Sequence, residues 1–259
     1  MRSKWPITLD IIQARTGSTR FPNKVLYPMG DRSILSLVIR RVGLSRAVNR
    51  NIVVATTLKG EDDGIAAVAR SEGVGLWRGS ESDVLDRYYG AAVEWRADVV
   101  IRITSDCPLI DHEVIDQVAA RFLEAKNVDY ASNRIVPSYP KGLDTEIFTV
   151  DALQQAWQES RRAYDREHVT PYLYHSGKFS LLNVPYEADI SYLNLSMDYE
   201  KDYRFLLELY RRLEGGKDRF TLSDVLGVLR DQPELLKISQ KDGVYEKFLS
   251  YIEGIRRRA

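Results

Sequence analysis

Three cations, Arg15, Arg20 and Lys24, share one short stretch with Gly17, Ser18 and Thr19, directly after the apolar pair Ile11-Ile12. That mixture suits a polyanion. Glycine lets the backbone approach a ligand closely, hydroxyls donate to phosphate oxygens, arginine offers a planar fork and lysine a point charge. A triphosphate is the ligand this chemistry fits best. No G-x-G-x-x-G follows this segment and no G-x-x-x-x-G-K-[ST] occurs in the chain, so by fingerprint it is neither a dinucleotide-binding Rossmann domain nor a P-loop enzyme. The competing reading is a solvated basic loop, and placement after the first strand of an α/β pattern favours phosphate over it.

Carboxylates form the second constellation. The run Asp98 to Ser105 reads as a buried strand that ends at Asp106, which places this carboxylate at the same sheet edge as the basic loop. A hard cation such as Mg²⁺ needs only one or two carboxylates beside phosphate oxygens and water. The alternative for Asp106 is a cap or turn before Pro108. Asp198 follows the apolar segment Tyr192 to Met197 and precedes a helix, a position that suits a ligand and a helix cap equally; Asp202, one turn later, ranks below it. The histidines, His112, His168 and His175, show no zinc spacing. Cys107 has no informatively spaced histidine, so a small buried thiol is favoured over a nucleophile.

These groups must be positioned by the elements around them. Ile7 to Ala14, Asn51 to Thr56, Val74 to Trp77 and Asp98 to Thr104 read as strands, and Ile34 to Leu44, Asp62 to Ser71, Asp83 to Trp95 and Glu113 to Leu123 as amphipathic helices. Such alternation predicts a Rossmann-like α/β fold, a mainly parallel mixed sheet with helices on both faces and ligands at the carboxyl ends of its strands. Further on, the pattern predicts a strand at Leu143 to Thr149, a helix at Asp151 to Arg161 capped by Asp151, a helix near Arg166 to Tyr174, and strands around Phe179 to Val184 and Tyr192 to Met197. A long helix, Tyr199 to Leu213, is expected to end before Gly215-Gly216, and helices follow from Thr221 to a basic tail, Arg256-Arg257-Arg258, read as a solvated terminus. One domain is expected over residues 1–259, with 133–150 as a lid or dimerisation excursion and 215–259 as a helical extension.

Composition narrows the partners. Lysine plus arginine equals aspartate plus glutamate at 37 each, so no global basic field favours nucleic acid. A single cysteine excludes an intramolecular disulfide and fits a reducing compartment. No apolar run is long enough to span a membrane, and Met1 to Pro6 lacks a secretory core, so a soluble, cytoplasmic protein is expected.

The basic loop also carries a family resemblance. Gln13-Ala14-Arg15, Gly17-Ser18-Thr19-Arg20, Pro22 and Lys24-Val25-Leu26 make the pattern Q-A-R-x-G-S-T-R-x-P-x-K-V-L, which resembles the N-terminal signature of the cytidylyltransferases that make CMP-sugars, the CMP-Kdo and CMP-acylneuraminate synthetases. It is most similar to the branch named for spore coat polysaccharide biosynthesis. Arg78 to Tyr89, Ser105 to Asp111, Gly142 to Phe148 and Arg166 to Tyr172 are similar to the same branch, so the resemblance runs from about Ile7 to Tyr203. Two positions depart from the family's commoner residues: Gln13 stands where the Kdo and acylneuraminate enzymes more often have Pro, and Asn23 where Gly is familiar.

The resemblance implies a fold of the nucleotide-diphospho-sugar transferase type and a Mg²⁺-dependent transfer of CMP from CTP to a hydroxyl of an acidic or modified sugar, with release of pyrophosphate, for surface polysaccharide or glycoconjugate synthesis. Gln13, Ala14, Arg15, Gly17, Ser18, Arg20 and Lys24 would then hold CTP, with Arg15, Lys24 and Asp106 catalytic and Asp106 and Asp198 the Mg²⁺ ligands. Gly79, Ser80 and Arg87 are expected near the base or ribose, although Arg87 and Asp83 have the spacing of a simple ion pair. Asp144, Glu146 and Arg166 are the acceptor-site candidates, with structural roles equally open. A homodimer through Val136 to Phe148 is expected from the resemblance alone. The rivals are a glycosyltransferase of similar fold using an NDP-sugar, and a catalytically idle nucleotide-binding subunit.

Overall fold

The computed structural model describes residues 6–47, 51–213 and 218–256. Strand β1 (Thr8–Gln13) leads through a 3₁₀ turn (Lys24–Leu26) and a short hairpin, β2 (Pro28–Met29) and β3 (Arg32–Ser33), into helix α1 (Ile34–Val42). Then come β4 (Ile52–Thr57), a 3₁₀ turn (Gly60–Asp62), α2 (Asp63–Ser71), β5 (Gly75–Gly79), α3 (Val84–Glu94), β6 (Val99–Thr104) and α4 (His112–Glu124). The later part holds β7 (Tyr130–Ser132), β8 (Glu146–Thr149), α5 (Val150–Glu159), α6 (Ala163–His168), α7 (Pro171–His175), β9 (Leu181–Asn183), α8 (Glu200–Arg212), α9 (Leu222–Asp231), a 3₁₀ turn (Pro233–Ile238) and α10 (Val244–Arg256).

The main sheet has the order β5-β4-β1-β6-β8-β7-β9, parallel from β5 to β6, with β8 antiparallel to both its neighbours and β9 parallel to β7. It is the mainly parallel mixed α/β sheet the alternation predicts. Its central strands are apolar on both faces because helices cover both. Ile12, Val54, Ile101 and Ile103 pack with Leu35, Val38, Ile115 and Phe205 on one side, while Leu9, Ile11, Val53 and Val100 pack with Leu85, Tyr88, Leu153 and Leu173 on the other. Each such fully buried aliphatic side chain contributes about 1.5–3 kcal/mol. Asp10 interrupts this pattern. Its buried carboxylate has no hydrogen-bond partner, and burial, with Asp116 adding to it, pushes its pKa well above the ordinary value.

Three expectations give way to tertiary detail. Thr149, not Asp151, caps α5, accepting from the Ala152 N–H, because the chain stays extended through Thr149 and turns helical at Val150. The helix expected over Arg166 to Tyr174 is two helices, broken at Val169, whose φ of 72° makes a γ-turn closed by Thr170 N–H to the His168 carbonyl. Pro171 then starts α7, since it has no N–H to continue α6. Tyr192 to Met197 forms only one bridge, between Asn194 and Lys141; the Asn194 side chain takes the Ser196 N–H and hydroxyl, and Gln240 bonds both backbone groups of Asn194. Side chains replace a ladder there. The short β7 and the β2–β3 hairpin have no counterpart in the sequence pattern. Gly215-Gly216 and the tail residues Arg257 and Arg258 lie outside the described residues. No described helix is long and apolar enough to cross a membrane.

Candidate active site

From β1 the chain moves to β4 and β5 on one side, and α3 then carries it across to β6 on the other. The loops leaving β1 and β6 lead to α1 and α4 on one face of the sheet and border a partly open crevice at its carboxyl edge, where ligands bind in such sheets. The basic loop leaves β1 at Ala14, whose N–H still donates to the Ala55 carbonyl of β4. Thr16 is its hub: the Thr16 carbonyl accepts from the N–H groups of Ser18 and Asn23, which closes the loop on itself. Asn23 has a left-handed backbone, φ 58°, and turns the chain into the 3₁₀ segment that aims Lys24 inward.

Lys24 binds three groups across the crevice. Its Nζ donates to Asp106 Oδ2 (2.8 Å) and to the Met197 carbonyl (2.6 Å), and lies 3.9 Å from Asp198 Oδ1. Asp198 is held further by Arg20, which donates to Oδ1 at 2.7 Å, and by Lys141, which donates to Oδ2 at 2.7 Å. The Met197 N–H donates to the Asp106 carbonyl, fastening the two acidic segments together. Burial alone would raise the Asp106 carboxyl, but the charge and hydrogen bond of Lys24, with the Thr104 hydroxyl, outweigh it and hold it below the ordinary range. Burial disfavours the Lys141 ammonium, yet Asp198 holds its pKa above the usual value. Asp198 caps no helix; the N-cap of α8 is Tyr199, whose N–H donates to the Asp202 carboxylate at 2.8 Å.

Asp106 and Asp198 thus bring oxygen donors from two segments to one ammonium. That donor set fits Mg²⁺, which takes one or two carboxylates and completes its shell with phosphate and water. Among the described residues no group of three or more His, Cys, Asp or Glu side chains is placed to hold a metal. A cation bound here depends on a ligand's phosphates for the rest of its shell.

The other residues expected to hold a nucleotide lie along the carboxyl ends of β1, β4 and β5. Gln13 ends β1 with its side-chain carbonyl buried and unpaired, and Arg15, half-exposed, stands 3.5 Å from Glu167. Ser18 Oγ lies 3.4 Å from the Phe21 N–H, a long contact, and a Cβ on Gly17 would lie 3.2 Å from Glu81. Gly79 leaves room for Arg87, since a Cβ there would come within 2.8 Å of Arg87 Cγ. Arg87 itself is only 2% exposed, its Nε is unpaired, and its Nη1 makes one long 3.4 Å bond to the Ala55 carbonyl. Burial lowers its pKa. Ser80 Oγ accepts from the Asp83 N–H.

The charged residues expected to meet an acceptor are engaged differently. Arg166 donates twice to Asp83 Oδ2 (2.9 and 2.5 Å) and once to the Trp157 carbonyl (2.7 Å), so Asp83 pairs with Arg166 and not with Arg87. The (i, i+4) spacing misled because Arg87 turns beneath Gly79 while Asp83 caps α3. Glu146 is tied to Arg102 by a short ion pair and accepts from the Tyr130 hydroxyl at 2.6 Å. Asp144 lies 3.3 Å from Arg134, and burial raises its pKa. Cys107 is buried, and its thiol is pushed well above the ordinary range by burial, which leaves it unreactive. Two residues escaped the sequence reading. Lys141 gave no signal because it lies in an irregular segment, and Asp62 read only as a helix start, yet its carboxylate binds Thr16 of the basic loop.

A crevice of this kind, on this sheet, belongs to the nucleotidyltransferase fold. The match to known proteins is closer than that. Residues 9–233 fit the family described as Cytidylyltransferase. The chain is 43% identical over 211 residues to an uncharacterized protein of Methanocaldococcus jannaschii (80% of this chain, 84% of that one). It is 31% identical over 239 residues to the spore coat polysaccharide biosynthesis protein SpsF of Bacillus subtilis (87% and 95%), and 29% identical over 220 residues to 3-deoxy-manno-octulosonate cytidylyltransferase of Solibacter usitatus (80% and 82%). Among solved structures, a cytidylyltransferase from Leptospira borgpetersenii superposes with a TM-score of 0.87 at 32% identity, covering 92% of this chain and 99% of that one. This chain belongs to the cytidylyltransferase family, and it is an enzyme of that family.

Proposed function

We propose that the protein transfers CMP from CTP to a hydroxyl of an acidic or modified sugar, with Mg²⁺, for surface polysaccharide or glycoconjugate synthesis. The observation that carries this reading is the cluster in which Lys24 joins Asp106 to Asp198 at the crevice. Every cation of the basic loop pairs with a carboxylate here, Arg15 with Glu167, Arg20 with Asp198 and Lys24 with Asp106. An incoming triphosphate competes for those cations with several negative charges at once, and the carboxylates it frees become available to a divalent cation.

The reaction needs no covalent enzyme intermediate. The acceptor oxygen bonds to the α-phosphorus, the bond from that phosphorus to the β-phosphate bridge breaks, pyrophosphate leaves, and the hydroxyl proton passes to water. Arg15, Arg20 and Lys24 neutralise the triphosphate and stabilise charge developing on the leaving group. Mg²⁺ held by Asp106 and Asp198 would supply charge neutralisation at the phosphates. Gln13, Ala14, Gly17 and Ser18 line the loop against the nucleotide, while Gly79, Ser80 and Arg87 flank it. Asp144, whose Oδ1 lies 3.3 Å from Arg134 without a hydrogen bond, is the carboxylate assigned to a sugar hydroxyl. Glu146 and Arg166 act there through the groups they fix. A homodimer belongs to the same proposal, supported by the family alone.

Pyrophosphate release is the test, measured with CTP, ATP, GTP and UTP plus Mg²⁺ against a panel of acidic and amino sugars, with thermal shift for each nucleotide alongside. Release with CTP and one acceptor establishes the reaction. Stabilisation by NDP-sugars alone, or CTP binding with no turnover across the whole panel, overturns it.

A further inference from the structure

The hub of the loop that carries all three cations, Thr16, is tied to the sheet by a buried carboxylate. Asp62 is 2% exposed, and each of its oxygens takes two hydrogen bonds. Oδ1 accepts from the Thr16 N–H (2.8 Å) and the Thr16 hydroxyl (2.7 Å); Oδ2 accepts from the Thr57 hydroxyl and, at 3.3 Å, from the Thr57 N–H. Burial would raise this carboxyl, but the donors outweigh burial and hold it below the ordinary range, so it remains the four-fold acceptor the site requires. Thr57 is the last residue of β4, a fixed part of the sheet. Thr16 in turn closes the loop through its carbonyl. Arg15 precedes this hub, Lys24 follows the closure at Asn23, and Arg20 lies between.

We infer that Asp62 is the positioning residue of the triphosphate loop: it registers Thr16 against β4 and so sets where the three cations meet the nucleotide. The inference rests on the CTP reading given above. Neutral residues cannot take its place fully. Asparagine turns an N–H₂ group toward one of the two Thr N–H groups, and alanine leaves both N–H groups and both hydroxyls without their acceptor.

The test compares CTP dissociation constants by calorimetry with Tm for Asp62→Ala, Asp62→Asn, Thr16→Val and, as a control, Asp111→Ala. Asp111 is equally buried and caps α4, accepting from the N–H groups of Glu113 and Leu222, with no bond to the loop. Asp62→Ala is expected to weaken CTP binding about tenfold or more, Asp62→Asn and Thr16→Val by smaller factors. Asp111→Ala is expected to lower Tm while keeping CTP affinity. Should Asp62→Ala fail to fold, Asp62→Asn and Thr16→Val still decide the matter. Folded Asp62 and Thr16 variants with wild-type CTP affinity, or an Asp111→Ala variant that loses CTP to the same degree, overturn the inference alone. Wild-type protein that binds no CTP overturns the functional reading, and this inference with it.

Discussion

Two groups of charged residues stand near the sheet, and they use their charge differently. Between β1 and β6, Lys24, Arg20, Asp106 and Asp198 pair with one another in a partly open crevice, where each ion has a partner that a phosphate or a metal can replace. Away from that cluster, Glu146 of β8 is enclosed by Arg102 and Tyr130, and Arg166 of α6 is bound by Asp83 and the Trp157 carbonyl. Partly exposed, exchangeable pairs suit ligands, whereas enclosed pairs suit the fold. Residue type does not distinguish the two; the partners do.

The largest effect that would break this comparison is on turnover. Lys24→Ala and Asp106→Ala are expected to reduce pyrophosphate release by at least about 100-fold with Tm close to wild type; near-normal release in either removes that residue from the chemistry. Glu146→Ala should behave in the opposite way. It leaves Arg102 uncompensated in the interior, so chemical denaturation is expected to show a loss of roughly 3 kcal/mol, while the folded fraction keeps its kcat. A stable Glu146→Ala enzyme with a raised acceptor KM would instead make Glu146 a ligand contact.

A smaller effect is expected at Arg166. Arg166→Ala loses three hydrogen bonds that pin α6 to α3 and α5, and a stability loss of about 2 kcal/mol should accompany any rise in acceptor KM. Wild-type stability with only the KM changed would transfer Arg166 to the ligand side. The smallest effect lies at Asp10, which has no partner to exchange or saturate. Its folded pKa is raised above its unfolded value, so the folded state retains the proton longer, and its contribution falls as pH rises from about 4 through the folded pKa. Asp10→Asn removes that decline, and a gain on the order of 1 kcal/mol at pH 8 relative to pH 5 is expected from denaturation curves at the two pH values.

Much of the nucleotide side was legible in the sequence because its signals are local. An apolar strand, a glycine and three cations share one short stretch of chain, and Asp106 closes an apolar run, so alternation alone brings both to one edge. The acceptor side was less legible because its pairings span the chain. Asp83 and Arg166 lie 83 residues apart, and Arg102 and Glu146 meet only because β6 and β8 are antiparallel neighbours. Asp151 looked like a cap for the same reason: local propensity favours it, but the length of β8 decides which residue precedes the helix.

By itself the sequence determined the α/β alternation, the polyanion loop, the position of Asp106 at its strand end and, through its motif pattern, the cytidylyltransferase family. These follow from hydrophobic periodicity and from residues adjacent along the chain, which act before any long-range contact forms. The tertiary structure alone decided that Asp198 faces Lys24, that Lys141 joins them, that Arg87 is buried beneath Gly79, and that Asp62 suspends the loop from β4. Each depends on which strands pair and in what register, and hydrogen bonds between segments far apart in the chain exist only once that packing is complete.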